Sequence, residues 1–209
     1  LMLESKMVLA GCRVDGFWVD IGNPASYLRA NVWALNRLQA ERPEAKDSIV
    51  CGPDSTISEK AVIRGPVHLG KAVTVREGAV IGPYACIGDG SEVHENSAIG
   101  SSIVYENTRI GANATLQTCI VGENCRIGDG VEIGRNAVLG SGTELGHGSR
   151  VAAESKVGPW IVVSPKTIAQ AMIPALGKHI ERISGLLEKS TTASGLTGEE
   201  GRVLAALCE

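Results

Sequence analysis

Val121-Gly122-Glu123-Asn124-Cys125-Arg126-Ile127-Gly128-Asp129-Gly130-Val131-Glu132-Ile133-Gly134-Arg135-Asn136-Ala137-Val138-Leu139 holds consecutive copies of one six-residue pattern, and that pattern decides the fold. Each copy opens on an aliphatic residue, has glycine or a polar residue next, and places a small or β-branched residue fifth. The pattern runs through about half the chain. Its leading residues go Cys51, Ile57, Ile63, Leu69, Val75 and onward to Val151 and Val157, with five-residue steps only from Ile99 to Val104 and from Leu116 to Val121.

The fifth residue of one hexad and the first of the next are two apart, so on an extended strand both point the same way. Val67 and Leu69 therefore face inward and His68 outward; Ala85-Cys86-Ile87 and Val131-Glu132-Ile133 repeat the arrangement. Three turn residues separate successive triplets. Their last position holds Gly78, Gly90, Asn96, Asn107, Asn113, Asn124, Gly130, Asn136, Gly142 or Gly148, the residues that accept positive φ at least cost. Three strand-and-corner units close a triangular coil of about 18 residues, and coils stack about 4.8 Å apart by parallel pairing. The repeats suffice for about six coils, which bury an interior only by stacking.

This repeat resembles the hexapeptide, left-handed parallel β-helix of many acyltransferases and several sugar nucleotidyltransferases. The handedness is what the resemblance implies. The expected fold is mainly β, with a short N-terminal strand-helix segment and C-terminal helices. Expected boundaries are 1–45 for the N-terminal segment, 46–163 for the β-helix and 164–209 for a helical cap or tail.

Composition agrees: 26 Gly in 209 residues and 3% aromatics describe turns and aliphatics rather than a bulky core. A net charge of −3 with no basic patch argues against nucleic acid or an anionic membrane as partner. The chain has no apolar run of spanning length and no signal-peptide pattern, so the expected location is cytoplasmic. Its six cysteines form no Cys-x-x-Cys, and Cys51 and Cys125 fall on inward positions where a thiol serves as a small apolar residue.

Ahead of the repeat, Val14 to Ile21 alternates as a half-buried strand would, with Phe17, Val19 and Ile21 on one side and Trp18 and Asp20 on the other. Asn23 is a good N-cap and Pro24 suits a first helical turn; Leu28, Val32, Leu35 and Leu38 then share a face until Pro43. Beyond Ser164-Pro165, residues Ile168, Met172, Leu176, Ile180, Ile183 and Leu187 keep helical spacing, with Pro174 interrupting. Thr197 and Glu200 have capping-box spacing for a short last helix.

Gly16-Phe17-Trp18-Val19-Asp20-Ile21-Gly22-Asn23-Pro24-Ala25-Ser26-Tyr27-Leu28 resembles the segment that closes the catalytic domain of sugar-1-phosphate nucleotidyltransferases, an aromatic-x-Asp-x-Gly-x-Pro run before a Tyr-Leu helix. Arg64-Gly65-Pro66-Val67 and Ile81-Gly82-Pro83-Tyr84 likewise resemble the C-terminal part of long-type glucose-1-phosphate thymidylyltransferases and mannose-1-phosphate guanylyltransferases. The resemblance spans roughly residues 10 to 160. It implies that sugar-1-phosphate attacks the α-phosphate of a nucleoside triphosphate (NTP) with loss of pyrophosphate, that Asp20 is a Mg²⁺ and sugar-phosphate ligand, and that Gly22 lies against substrate. The other role for Asp20 is to bond backbone N–H groups at a strand end, and for Gly22 to make the turn.

The Gly-rich triphosphate loop and central Asp of that family are absent from this sequence. The expectation is therefore the C-terminal piece of a longer enzyme, inactive alone, whose β-helix serves oligomerisation or regulation in a homo-oligomer. The alternative is an acetyl-CoA-dependent acyltransferase with His68 as general base. No Asp or Glu is spaced to orient His68, and His94 and His147 read as solvated surface residues in corners.

Overall fold

A computed structural model describes residues 12–13, 15–41, 49–170 and 172–173. Helix α1 spans Pro24–Glu41 and is followed by a parallel β-solenoid of three flat faces. The first face stacks eight strands from Ile49–Cys51 to Met172–Ile173; the second runs from Thr56–Ile57 to Val162–Val163, and the third from Val62–Ile63 to Ile168–Ala169, with seven strands each. The stack is thus about seven turns rather than six.

The in-out-in reading of the hexads holds. Val67 and Leu69 are fully buried with His68 half-exposed between them, and Val131, Ile133, Ala137 and Leu139 are buried in the same column. Val67 pairs with Ala85 one coil later. Both five-residue steps lie at the corner between the third and first faces, where Ser101 and Thr118 adopt φ of 48° and 51°. The corner loses a residue and the strands do not, so inward positions stay aligned: Ile87 pairs with Val104, and Val104 with Val121. All ten Gly and Asn corner residues expected at positive φ adopt it.

Most glycines that follow an aliphatic residue answer to a neighbour rather than to their own torsion. A Cβ at Gly88 would stand 2.6 Å from the Glu106 nitrogen, and one at Gly122 2.6 Å from the Ser141 nitrogen, because the next coil's backbone crosses there. The small fifth residues have a second task. Ser97 Oγ donates to the Gly111 carbonyl at 2.6 Å and accepts the Ala114 N–H at 3.3 Å; Ser91, Ser102 and Thr108 likewise accept the N–H of the fifth residue one coil on. These hydroxyls supply partners for buried backbone groups at the corners.

Three expectations are corrected. The alternating Val14–Ile21 stretch forms no strand over its described residues: Trp18 is 84% exposed and Phe17 leaves the alternation to stack on Trp33, centroids 4.5 Å apart. The β-helix continues past 163, because Val163 and Ala169 keep the inward position while Ile168, assigned to a helical stripe from its spacing, is an exposed outward strand residue. Met172 also lies on a strand; the later helix positions fall outside the described residues. Cys51 is exposed because its strand ends the stack and pairs on one side only, whereas Cys125 is buried as expected.

Ile127 is 3% exposed within this column. Ile127→Asp buries an unpaired carboxylate at a cost of several kcal/mol. The expected result is loss of cooperative thermal unfolding; near-wild-type melting followed by circular dichroism would contradict the inward register.

Candidate functional site

Asp20 lies on the run that leads into α1. Its Oδ1 accepts the Gly22 N–H at 3.1 Å, closing a small turn, and Asn23 Oδ1 accepts the Ser26 N–H at 2.9 Å as the helix cap. A Cβ at Gly22 would meet Asp20 Oδ1 at 3.4 Å, an ordinary contact, so the turn does not demand glycine. Asp20 is exposed, with its second oxygen free of protein hydrogen bonds among the described residues. Among the described residues no group of three or more His, Cys, Asp or Glu could hold a metal ion. Asp20 thus offers one hard carboxylate oxygen to a Mg²⁺ whose other ligands would be phosphates, waters or further protein groups. The described residues do not form such a site by themselves.

His68 stands in the middle of its strand on the first face, between Val50 and Cys86 in register. The histidines in ion-pair contact among the described residues are His94 and His147. His94 is no surface residue: its side chain is 12% exposed, with Nε2 3.1 Å from Glu92 Oε2 and Nδ1 3.7 Å from Glu95 Oε2. Nε2 is within hydrogen-bond distance of Glu92, so His94 ties its corner.

His147 lines an open groove of about 810 Å³ on the second face with Arg109, Arg126, Asp129 and Glu144. Its Nδ1 accepts the Asp129 N–H at 3.2 Å, which places the proton of the neutral ring on Nε2. Asp129 in turn accepts the Ala112 N–H at 2.9 Å, and Arg126 reaches Glu144 at 3.8 Å. With its Nδ1 accepting a backbone N–H, His147 lacks the base-and-orienter geometry of acyl transfer. The 18-residue spacing of Asp129 and His147 is one coil, a signal by which the sequence already stacks them.

Sequence reasoning did not find how α1 docks on the β-helix. Tyr27 and Tyr105 share a hydroxyl hydrogen bond of 2.7 Å, the Cys86 thiol donates to Asn31 Oδ1 at 3.0 Å, and Asn31 Nδ2 donates to the Tyr84 carbonyl at 3.3 Å. The hydrogen bond with Tyr27, with burial second, pushes Tyr105 up to about 12. Burial lifts the Cys86 thiol to about 11 against the opposing pull of Asn31, and lifts Cys119 to about 12.

A parallel solenoid of six-residue steps preceded by a docked helix defines the class: a hexapeptide-repeat protein. The family model described as "GMPPB C-terminal domain" matches residues 63–173, and the chain belongs to that family. It is 28% identical over 135 residues to the "Bifunctional protein GlmU" of Methanocaldococcus jannaschii, covering 61% of this chain and 33% of that protein. It is 29% identical over 115 residues to "Mannose-1-phosphate guanylyltransferase 1" of Arabidopsis thaliana, covering 55% and 29%. The chain spans about a third of the length of the curated relatives it matches. A "hexapeptide transferase family protein" from Anaplasma phagocytophilum shares the fold, with a TM-score of 0.55 and 18% identity over 74% of this chain and 89% of that one.

A thiol at about 11 is thiolate in about one molecule per thousand at pH 8. Alkylation with iodoacetamide at pH 8, followed by peptide mass spectrometry, is expected to label the exposed Cys12 and Cys51 at least about 100-fold faster than Cys86 or Cys119. Equal labelling of Cys86 and Cys51 would mean that α1 is not seated on the first face.

Proposed function

We propose that this chain is the C-terminal β-helix part of a sugar-1-phosphate nucleotidyltransferase. The observation that carries the reading is the match of the hexad stack to the GMPPB C-terminal domain over residues 63–173. The reaction joins a phosphate oxygen of a sugar-1-phosphate to the α-phosphorus of an NTP; the bond to the β-phosphate breaks and pyrophosphate leaves. A divalent cation, Mg²⁺ in this reading, offsets the charge that gathers on the phosphates. Asp20 contributes one negative oxygen beside the sugar phosphate, held in place by the Gly22 N–H, and Gly22 keeps the adjacent surface low.

The β-helix serves assembly and spacing in a homo-oligomer located in the cytoplasm. No helix among the described residues is long and apolar enough to cross a membrane. The last coil leaves Trp160, Val162 and Ile168 exposed at 67%, 72% and 56%, apolar surface that association would cover. Acetyl-CoA-dependent acyl transfer by His68 stands second, since neither ring nitrogen has a carboxylate to orient it among the described residues.

Asp20→Asn in the full-length enzyme keeps size and hydrogen bonding and removes the charge. Turnover is expected to fall by about 10²-fold or more, or about 2.7 kcal/mol in transition-state stabilisation, with melting unchanged. Unchanged turnover with a lowered melting temperature would assign Asp20 to its turn alone. Sedimentation of the isolated chain at micromolar concentration is expected to give a multiple of 21.8 kDa. A monomer at every concentration would remove assembly from the role of the β-helix.

A further inference from the structure

At 100° per residue, Tyr27, Leu28, Asn31 and Leu35 fall within an arc of about 100° on α1, and Trp33 lies on the opposite side with Arg37 beside it. The first arc is the docking face: Leu28 and Leu35 are buried, and Tyr27 and Asn31 bond to Tyr105, Cys86 and the Tyr84 carbonyl. The opposite side carries the Phe17 ring, stacked on Trp33 with an interplanar angle of 11°, and the Arg37 guanidinium 5.5 Å from the Trp33 centroid.

Asn23 caps the helix and Trp33 lies ten residues further on, about 15 Å along the axis. The six residues from Phe17 to Asn23 reach about 20 Å when fully extended. A chain held at Trp33 by Phe17 and at the cap by Asn23 therefore runs back along the helix, with the Asp20–Gly22 turn inside the span. Asp20 stands at its midpoint, three residues from either anchor.

We infer that Trp33 is a positioning residue for Asp20: α1 is a strut whose one face is fixed to the β-helix and whose other face, through the Phe17–Trp33 stack, sets where the Asp20 carboxylate stands. The inference rests on the nucleotidyltransferase reading of Asp20. It gives the β-helix a part in the reaction centre without placing any β-helix side chain on substrate.

Steady-state kinetics of the full-length enzyme with Trp33→Ala, Trp33→Phe, Asp20→Asn and the Asp20→Asn/Trp33→Ala double variant test it. Trp33→Ala is expected to lower kcat about 10-fold or more with KM for the NTP within about twofold, since a displaced ligand of this kind costs rate before affinity. Trp33→Phe, which keeps a ring for Phe17, restores kcat to within about threefold. The double variant is no slower than Asp20→Asn alone, because both changes act through one carboxylate. In the 209-residue chain, amide exchange over residues 17–22 speeds up in Trp33→Ala, while exchange over the strands at 126–133 stays as in the wild type.

Wild-type kinetics in Trp33→Ala, or losses that multiply in the double variant, overturn the inference while leaving Asp20→Asn to support the enzyme reading. Faster exchange across the β-helix strands would make Trp33 a general stability residue and overturn it as well. A fully active Asp20→Asn sinks both readings. Should Trp33→Ala fail to fold, Phe17→Leu removes the stack from the other side, and the same kinetic and exchange outcomes decide.

Discussion

No coil of this protein holds itself together; the backbone ladder between coils is the interaction on which everything else depends. Arg126 N–H reaches the Thr143 carbonyl at 3.0 Å and Gly128 N–H the Leu145 carbonyl at 2.8 Å, and such bonds recur on all three faces. Each strand is two or three residues long, too short to persist without the strands on either side. The exposed Cys51 at one end shows the effect of a missing neighbour, since interior positions in mid-stack, such as Ile110 and Leu116, are fully buried.

Close stacking dictates the composition. Where one corner's backbone crosses the next, only hydrogen fits on the carbon after the aliphatic residue, as at Gly88 and Gly122. The triangular interior has no room for aromatic rings, so the fifth place takes Ala, Val, Cys, Ser or Thr. At Ser97 a hydroxyl does what a methyl cannot: it joins a corner carbonyl and a corner N–H of the next coil. The Ser97 bonds to Gly111 and Ala114 make a polar atom in the core a gain, because a buried backbone group without a partner would cost about 1–3 kcal/mol.

The first face departs from this self-contained pattern. Its outward residue Cys86 receives α1 through Asn31, and burial lifts its thiol to about 11. The helix brings with it the Asp20 turn, the carboxylate on which the proposed nucleotidyl transfer draws. In that proposal the β-helix is a rigid seat. Its own histidines are occupied in corner contacts at His94 and His147.

The hexads alone determined the three-faced coil, the inward column from Val67 to Val157, the ten Gly and Asn corners and the neutral roles of the buried cysteines. A six-residue step with two inward positions admits no other closure, and the signal is local, repeated many times along the chain. The same locality made the Asn23 cap and α1 legible. What the sequence could not express were contacts across unrelated separations: Asn31 with Cys86, Tyr27 with Tyr105, Phe17 with Trp33. Alternation at 14–21 and the helical spacing of Ile168 and Met172 misled for one reason: short apolar patterns report a period and not a partner. Phe17 found a ring on α1 in place of a neighbouring strand, and Ala169 rather than Ile168 entered the core because the coil beneath had already set which side was inward.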